Sequence, residues 1–463
     1  MYFIRDTRTG LHFAVSLEPA QLEEFQSLVQ SLGLGQDHSL DADELLKRQS
    51  QFREQLVEER RSSAIETVLD LCSRSIPYYK SITPEPNGDV SLASYPIMDK
   101  AALKKNYRDL INPDLDVSQH IKAGNFAVVR NSGTTDERIQ VISDMNLDRV
   151  PPDYQDVWQV NFDSDTPQTA ILTTPLCSPN ACTLQQDSLE SRIQFNTTLF
   201  LPSSTNILKA TDAYFQSVCD EIEAFSPEIL LGSPVYIQML GKWAQENTCD
   251  LSSIKVILVS YQFCSGIQRR YIERFFGVPV FDLYTATELG GCGLGVQCCN
   301  GNWHVREDHC FLETIPFGTA PSGAEVGSLI VTTHANQVAP LVRYDVGDLG
   351  ILRQNVCNCS VSDWQCFELH GRKSDAMMFG ETCITTRIFD DIISGVEGIF
   401  LYQCQQTADG VSVSVVHDPE FDFSETATAQ LLKDRLKLSA VDVNCTDNLI
   451  FERSFKLRYT RPL

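Results

Sequence analysis

This sequence has no long apolar runs. A helix that crosses a membrane needs about 18 consecutive uncharged apolar residues, and no stretch of the sequence provides them. Positive charge is also scarce, since 37 lysines and arginines stand against 61 aspartates and glutamates and leave a net charge of −24. This charge disfavours nucleic acid and anionic membrane surfaces as main ligands. We therefore expect no nucleic-acid partner and no membrane partner, and an anionic substrate would need a local basic pocket.

The first residues lack the basic segment and apolar run of a secretory signal. A cytoplasmic protein is expected on this ground, with its sixteen cysteines present as reduced thiols. Clustered cysteines can then act as metal ligands. No internal repeat or low-complexity tract is present, and 463 residues predict roughly two to three domains with a large core.

Alternating strand and helix patterns predict an α/β fold with a partly parallel sheet. Short apolar or β-branched runs predict strands at Tyr2–Asp6, Leu11–Val15, Ala170–Thr174, Ile229–Leu231, Val256–Ser260, Val278–Tyr284, Ser328–Thr333 and Leu341–Leu352. Helical periodicity marks Glu18–Leu32, residues 37–74, Thr211–Phe225, Val235–Gln245 and Ser265–Phe276. After about Gly371, a compact α+β segment follows, with helices at Ile384–Ile393 and Glu425–Lys437 and strands at Phe400–Gln406 and Val411–Val416.

A small hydroxyl-rich turn, Asn131-Ser132-Gly133-Thr134-Thr135, follows a β-branched pair and Arg130. Glycine lets the backbone approach a ligand closely, and backbone N–H groups with hydroxyls can then wrap a polyphosphate. A plain hairpin loop rich in serine and threonine explains the same residues, so this turn alone leaves both interpretations open.

Further segments match known motifs in order along most of the chain. They are Ile76-Pro77-Tyr78-Tyr79, Tyr95-Pro96-Ile97-Met98-Asp99-Lys100, Gly232-Ser233-Pro234-Val235-Tyr236, Asp282-Leu283-Tyr284-Thr285-Ala286-Thr287-Glu288, Trp303-His304-Val305-Arg306-Glu307-Asp308-His309, Arg343-Tyr344-Asp345-Val346-Gly347-Asp348-Leu349 and Gly371-Arg372-Lys373-Ser374-Asp375-Ala376-Met377. With the hydroxyl-rich turn, they resemble the adenylate-forming superfamily, and within it the phenylacetate–CoA ligase branch.

The resemblance implies a large multi-sheet α/β N-terminal domain and a small mobile α+β C-terminal domain. We place an N-terminal extension with helices at residues 1–60, the large domain at 61–370 and the small domain at 371–463. The implied chemistry joins a carboxylate to the α-phosphate of ATP with Mg²⁺, giving an acyl-adenylate. A thiol of CoA or of a carrier-protein pantetheine then displaces AMP.

The resemblance also assigns roles around the nucleotide. The residues expected to bind it are Ser132, Gly133, Thr134, Thr135, Arg138, Tyr284, Thr287, Asp348 and Arg372. Thr134 is also expected to take part in catalysis. The relatives' Gly-Lys after the threonines is Asp136-Glu137 here. Arg138 would supply the missing cation, or Mg²⁺ would bridge the two acids to the phosphates.

Two carboxylates are central to the predicted nucleotide site. Glu288 would face Mg²⁺, and Asp348 would accept hydrogen bonds from both ribose hydroxyls. The alternatives are a carboxylate at a helix start for Glu288, a turn residue for Asp348 and a core ring for Tyr284.

Lys456 is the candidate for the lysine that promotes adenylation, by neutralising charge between the carboxylate and the α-phosphate. The relatives' nearby glycine has no counterpart, since Phe455 precedes Lys456. An exposed basic tail is the alternative.

The acid pocket would involve Tyr236, Tyr261, Phe263 and Ala286. Tyr261 and Phe263 are bulkier than the residues of the relatives, or else simply pack in the core. An aromatic acid is expected because the branch mostly activates such acids.

The resemblance also implies a metal site, since relatives often carry cysteine and histidine at these places: Cys298, His304, Cys357 and Cys359 would make a Cys₃His set of the type that closes a structural zinc site. Cys292, Cys299 and Cys310 are nearby substitutes, and a group of buried reduced cysteines is the alternative.

The sequence therefore predicts an ATP-dependent acid–thiol ligase that takes a small carboxylic acid. Its acceptor is CoA or an acyl carrier protein, and a homodimer is left open. The alternative is a catalytically silent relative that binds nucleotide or acts as a scaffold, as the departures at Asp136, Glu137, Ser374 and Phe455 suggest.

Overall fold

The computed structural model describes residues 2–5, 12–15, 35–36, 42–82, 91–130, 139–147, 154–176, 188–354 and 357–463, with side chains from residue 57 onward. The chain divides into two compact units, Met1–Glu66 and Thr67–Leu463. In the first, strand β1 (Tyr2–Arg5) pairs antiparallel with β2 (His12–Val15) and β3 (Gly35–Gln36). The two strands predicted at the start of the chain are thus confirmed, while the helix predicted at Glu18–Leu32 lies outside the described residues.

The helices of the described residues include the other predicted ones and four that were not predicted, between residues 77 and 158. They are α1 (Ala42–Arg74), α2 (Pro77–Lys80), α3 (Lys100–Leu110), α4 (Val117–Lys122), α5 (Tyr154–Trp158), α6 (Asp212–Phe225), α7 (Pro234–Glu246), α8 (Gly266–Phe276), α9 (Thr386–Ile393) and α10 (Glu425–Leu436). Side-chain caps explain several starts: the Thr211 hydroxyl accepts from Tyr214 N–H before α6, and Ser265 and Gln268 form a capping box at α8.

Strands β4 (Phe126–Arg130) and β5 (Gln140–Asp144) form an antiparallel hairpin. The candidate phosphate-binding turn connects these two strands, and residues 131–138 lie outside the described residues.

The next fourteen strands form one sheet. They are β6 (Thr169–Leu172), β7 (Ile193–Gln194), β8 (Thr198–Phe200), β9 (Ile229–Gly232), β10 (Val256–Val259), β11 (Val280–Thr285), β12 (Gly293–Gln297), β13 (Trp303–Val305), β14 (Cys310–Thr319), β15 (Glu325–Thr333), β16 (Tyr344–Arg353), β17 (Cys366–Arg372), β18 (Met377–Phe379) and β19 (Thr382–Ile384). Their order is β18-β19-β14-β15-β16-β17-β13-β12-β11-β10-β9-β6-β8-β7.

The large sheet changes character at β11. Strands β8, β6, β9, β10 and β11 run parallel, which requires crossover connections such as α6, α7 and α8. From β11 through β12, β13, β17 and β16 the pairing is antiparallel. The predicted motif with Tyr284 and Glu288 therefore lies where the parallel half of the sheet ends.

A four-stranded sheet closes the chain, in the order β22-β21-β20-β23. Its strands are β20 (Ile399–Gln406), β21 (Gly410–His417), β22 (Ala440–Cys445) and β23 (Thr460–Arg461). Phe389 and Phe400 of this C-terminal segment join one buried cluster with Tyr236 and Ile272 of α7 and α8. The α/β fold is confirmed, and the domain boundary near residue 371 stays a prediction.

Among the described residues, no helix is both long enough and apolar enough to cross a membrane.

Candidate active site

Asp348 joins two of the residues predicted to bind nucleotide. The Tyr284 hydroxyl donates to its Oδ2 at 2.5 Å, and Arg372 Nε forms an ion pair with its Oδ1 at 3.1 Å. Asp348 and Arg372 are direct partners in the β16–β17 ladder, which fixes their separation. Burial raises the pKa of Asp348, and the Arg372 guanidinium acts against that rise.

Glu288 lies in the short 3₁₀ turn Thr287–Leu289 that follows β11 and Ala286. Its Oε1 is 3.2 Å from Lys100 Nζ, at the start of α3. After burial, the Glu288 charge also raises the pKa of Asp348, as expected of two carboxylates that lie near each other. Sequence reasoning placed Lys100 in a motif without giving it a role.

The turn after Glu288 lies against the hairpin that carries the candidate phosphate loop. Asp144 N–H donates to Gly290 O at 3.0 Å. A Cβ on Gly291, whose φ is +105°, would come within 2.5 Å of Asp144 O. Only glycine fits this close backbone approach. The roles predicted for Ser132, Gly133, Thr134, Thr135 and Arg138 fall on residues outside the described ones and stay predictions.

Lys456 lies on a tight hairpin near the end of the chain. Phe451 and Leu457 form an isolated antiparallel bridge, and Glu452 N–H donates to Lys456 O at 2.9 Å. Phe455, directly before Lys456, has φ +63°, the left-handed conformation that glycine adopts most easily. The turn thus has the backbone form of a glycine turn although the glycine is absent.

The hairpin is tied to the segment that begins with Arg372. Arg458, two residues after Lys456, lies 2.8 Å from Asp375 Oδ1 and also donates to Ser374 O. Asp375 in turn accepts from the Ser374 hydroxyl at 2.8 Å. These contacts connect the Lys456 hairpin to the residues that follow β17, whose last residue, Arg372, pairs with Asp348.

The residues predicted to line the acid pocket have different environments. Tyr236 is fully buried, and its hydroxyl donates to Ser204 O at 2.5 Å. Tyr261 follows β10 with φ +72°, and Phe263 packs edge-on against Tyr459 with ring centroids 6.0 Å apart. Ala286 directly precedes the Glu288 turn.

The predicted zinc ligands come together. One ligand atom from each of Cys298, His304, Cys357 and Cys359 lies within 4.8 Å of all the others. Cys298 Sγ is 3.6 Å from Cys357 Sγ, and Cys359 Sγ is 3.4 Å from His304 Nε2. Trp364 O, 3.2 Å from His304 Nδ1, can hold the proton there and leave Nε2 free to coordinate.

One thiol of this cluster suits a cation. Burial alone would raise the pKa of Cys357, but hydrogen bonds from Asn300 and Asn302 bring it down to about 5, whereas burial raises the pKa of Cys298 and of Cys359. A thiolate is the form that binds zinc. Among the described residues, Cys292, Cys299 and Cys310 do not join this group of ligand atoms.

One cysteine expectation is wrong: Cys219 of α6 and Cys249, beyond the end of α7, form a disulfide, with Cα atoms 5.9 Å apart. The expectation of reduced thiols came from the start of the chain, which carries no information on which side chains meet. Cys219 and Cys249 are 30 positions apart, and this spacing matches no motif that would have revealed the pair.

Comparisons with known proteins match part of the sequence and most of the fold. No family model matches the chain. Over 165 residues it is 28% identical to a phenylacetate-coenzyme A ligase of Thermus thermophilus, covering 34% of this chain and 37% of that protein. Over 135 residues it is 27% identical to the Escherichia coli enzyme of the same name, covering 28% of this chain and 31% of that protein. The chain thus matches about a third of the length of these curated relatives.

Solved structures share the fold over most of the chain. A 2-hydroxyisobutyryl-CoA ligase in the postadenylation state superposes with a TM-score of 0.62 at 14% identity, covering 87% of this chain and 88% of that one. The same enzyme in its thioesterification state gives 0.51 at 14% identity, covering 89% of both chains. The chain thus shares its fold with this CoA ligase, and over about a third of its length its sequence is similar to phenylacetate-coenzyme A ligases.

Proposed function

We propose that the chain is an ATP-dependent acid–thiol ligase. A carboxylate oxygen of the acid attacks the α-phosphorus of ATP, and the bond to pyrophosphate breaks. A thiol sulfur then attacks the acyl carbon, AMP leaves, and the thiol proton passes to solvent. The observation that carries this proposal is the assembly of Tyr284, Glu288, Asp348 and Arg372 near the C-terminal ends of β11 and β17.

Asp348 suits the ribose of ATP because its two oxygens can accept from a vicinal diol. In the structure these oxygens are held by Tyr284 and Arg372, which orient the carboxylate before nucleotide binds. Glu288 would provide one carboxylate for Mg²⁺, an ion that favours one or two carboxylates together with phosphate oxygens. Its contact with Lys100 keeps the charge compensated until then.

The phosphate loop is the main argument for the alternative of a silent relative, since Asp136 and Glu137 would repel a triphosphate. One feature supports activity: Phe455 keeps the left-handed turn before Lys456. The departure at Phe455 therefore does not weaken the ligase proposal, and we favour catalysis with Arg138 as the cation of the loop.

Zinc suits the Cys298, His304, Cys357 and Cys359 cluster in ligand type and number. With four protein ligands, the site would be closed and structural. These residues would tie the loop after β12 to the segment before β17 and take no part in catalysis.

The substrate is proposed to be a small carboxylic acid, with aromatic acids favoured by the sequence likeness to phenylacetate–CoA ligases. The structural relative is a 2-hydroxyisobutyryl-CoA ligase, so branched hydroxy acids belong in any test. CoA is the favoured thiol, because the similar proteins in sequence and in fold are coenzyme A ligases.

The decisive experiment is ATP–pyrophosphate exchange with a panel of aryl, arylacetic and 2-hydroxy acids, followed by addition of CoA or pantetheinylated carrier protein. Acid-dependent exchange and a thioester product are expected. Titration calorimetry with ATP·Mg²⁺ tests the alternative: nucleotide binding without exchange for any acid would identify a silent relative.

A further inference from the structure

The turn from Tyr261 to Gly266 meets the C-terminal segment at three points. Gln262 Oε1 accepts from Leu457 N–H at 3.3 Å, the Phe263 ring packs against Tyr459, and Gly266 N–H donates to Asp390 Oδ2 at 2.8 Å. The first contact reaches the residue directly after Lys456. This turn therefore controls where the Lys456 hairpin sits.

The backbone of this turn is held in a costly conformation. Tyr261 has φ +72°, a region that non-glycine residues rarely occupy. Such a conformation persists only where the surrounding structure imposes it. Its effect here is to bring the Gln262 side chain, directly after it, to Leu457.

Of the two polar atoms of the Gln262 carboxamide, only the oxygen makes a hydrogen bond among the described residues. Its Oε1 accepts from Leu457, while its Nε2 is buried and has no hydrogen-bond partner among the residues that the structure describes. A buried donor without a partner destabilises the protein, and a ligand oxygen that accepts from Nε2 would remove that cost.

We propose that Gln262 is a binding and positioning residue for the acyl-adenylate. Its Oε1 fixes the register of the Phe451–Leu457 hairpin, and its Nε2 donates to an anionic oxygen of the bound intermediate. The proposal rests on the proposed function. It requires an amide at this position, because a carboxylate keeps the acceptor but loses the donor, and a thioether loses both.

The first part of the proposal, the acceptor half, is that Gln262 Oε1 holds the hairpin through Leu457. It can be tested without any substrate. Hydrogen–deuterium exchange of peptides spanning residues 451–460 is measured in Gln262→Met, Gln262→Glu and a matched control, Gln238→Met. Gln238 makes a comparable contact elsewhere, since its Nε2 donates to Phe400 O at 2.9 Å. Exchange at Leu457 should rise about tenfold in Gln262→Met only. Unchanged protection in that variant, or an equal rise in Gln238→Met, overturns the acceptor half.

The second part of the proposal, the donor half, is that Gln262 Nε2 donates to the bound intermediate. It is tested by pyrophosphate exchange with the acid that the unmodified protein uses best. Gln262→Glu should keep Leu457 protected but lower the exchange rate at saturating ATP by at least about tenfold. An exchange rate equal to that of the unmodified protein overturns the donor half. If the unmodified protein shows no exchange with any acid, the proposed function and the donor half both fail, whereas protection at Leu457 still decides the acceptor half.

Discussion

Phe455 adopts a left-handed backbone conformation directly before Lys456, where the related enzymes carry glycine near their lysine. The left-handed form costs an L-residue about 1–2 kcal/mol. Two substitutions that remove the same ring should therefore differ: Phe455→Gly should be more stable than Phe455→Ala by about 1 kcal/mol. Urea denaturation of both variants measures the difference. Equal stability would mean that this turn is not left-handed in solution.

Lys456→Ala should lower the rate of adenylate formation by at least about a hundredfold, because a cation placed at the developing phosphate charge is lost. Thioester formation from a supplied acyl-adenylate should stay largely intact. Pyrophosphate exchange and thioester release measure the two steps separately. Lys433→Ala, on the exposed face of α10, is the matched control. Equal loss of both steps would assign Lys456 a structural role.

Asp348→Asn keeps the shape of the side chain but removes the charge that Arg372 and a ribose diol share. The KM for ATP should rise about tenfold or more, with a smaller change in kcat, because a charge-assisted contact to the nucleotide is weakened. Steady-state kinetics with varied ATP measures it. Asp391→Asn, at an exposed ion pair with Arg387, is the control and should leave KM unchanged. A normal ATP requirement in Asp348→Asn would exclude the ribose role.

Glu368 should give stability a dependence on acidic pH. A hydrogen bond from His370, opposed by burial and aided by Arg353, lowers its pKa from 4.5 to about 2. A depressed carboxylate pKa adds stability that is complete above the unfolded value and is lost as pH falls towards the folded value. Glu368→Gln should therefore lower the free energy of unfolding at pH 6, measured by urea denaturation, by less than about 1 kcal/mol, since the group is partly exposed. The deficit should shrink between pH 5 and about 2; a deficit independent of pH would contradict this cause.

Removal of metal should destabilise the fold if zinc occupies the Cys₃His cluster. Elemental analysis should find about one zinc per chain, and chelation should lower the melting temperature by several degrees. Cys357→Ser should reproduce both losses, while Cys445→Ser, an exposed cysteine outside the cluster, should reproduce neither. A metal-free protein with an unchanged melting curve would remove the zinc proposal.

Much of the fold follows from local signals. Thr211 and Ser265 mark the starts of α6 and α8, where their hydroxyls cap the helices, and period-two and apolar runs mark the strands. Ordered motifs located Tyr284, Asp348 and Arg372, and they also located the cysteine and histidine cluster.

Contacts between distant loops could not be predicted in this way. Gln262 and Leu457 are 195 positions apart, and a single hydrogen bond between them leaves no periodicity in the sequence. The pairing of Lys100 with Glu288 and of Cys219 with Cys249 likewise depends on how the elements pack. The left-handed backbone conformation of Phe455 could not be predicted from the sequence, because phenylalanine rarely adopts a positive φ.

The bond between Cys219 and Cys249 closes a covalent ring that contains Tyr236 and the whole of α7. A protease that cuts once inside this ring cannot release a fragment. The two pieces would migrate together on a denaturing gel without reductant and separate after dithiothreitol. The integrity of the helix that carries Tyr236 must therefore be judged on reduced samples.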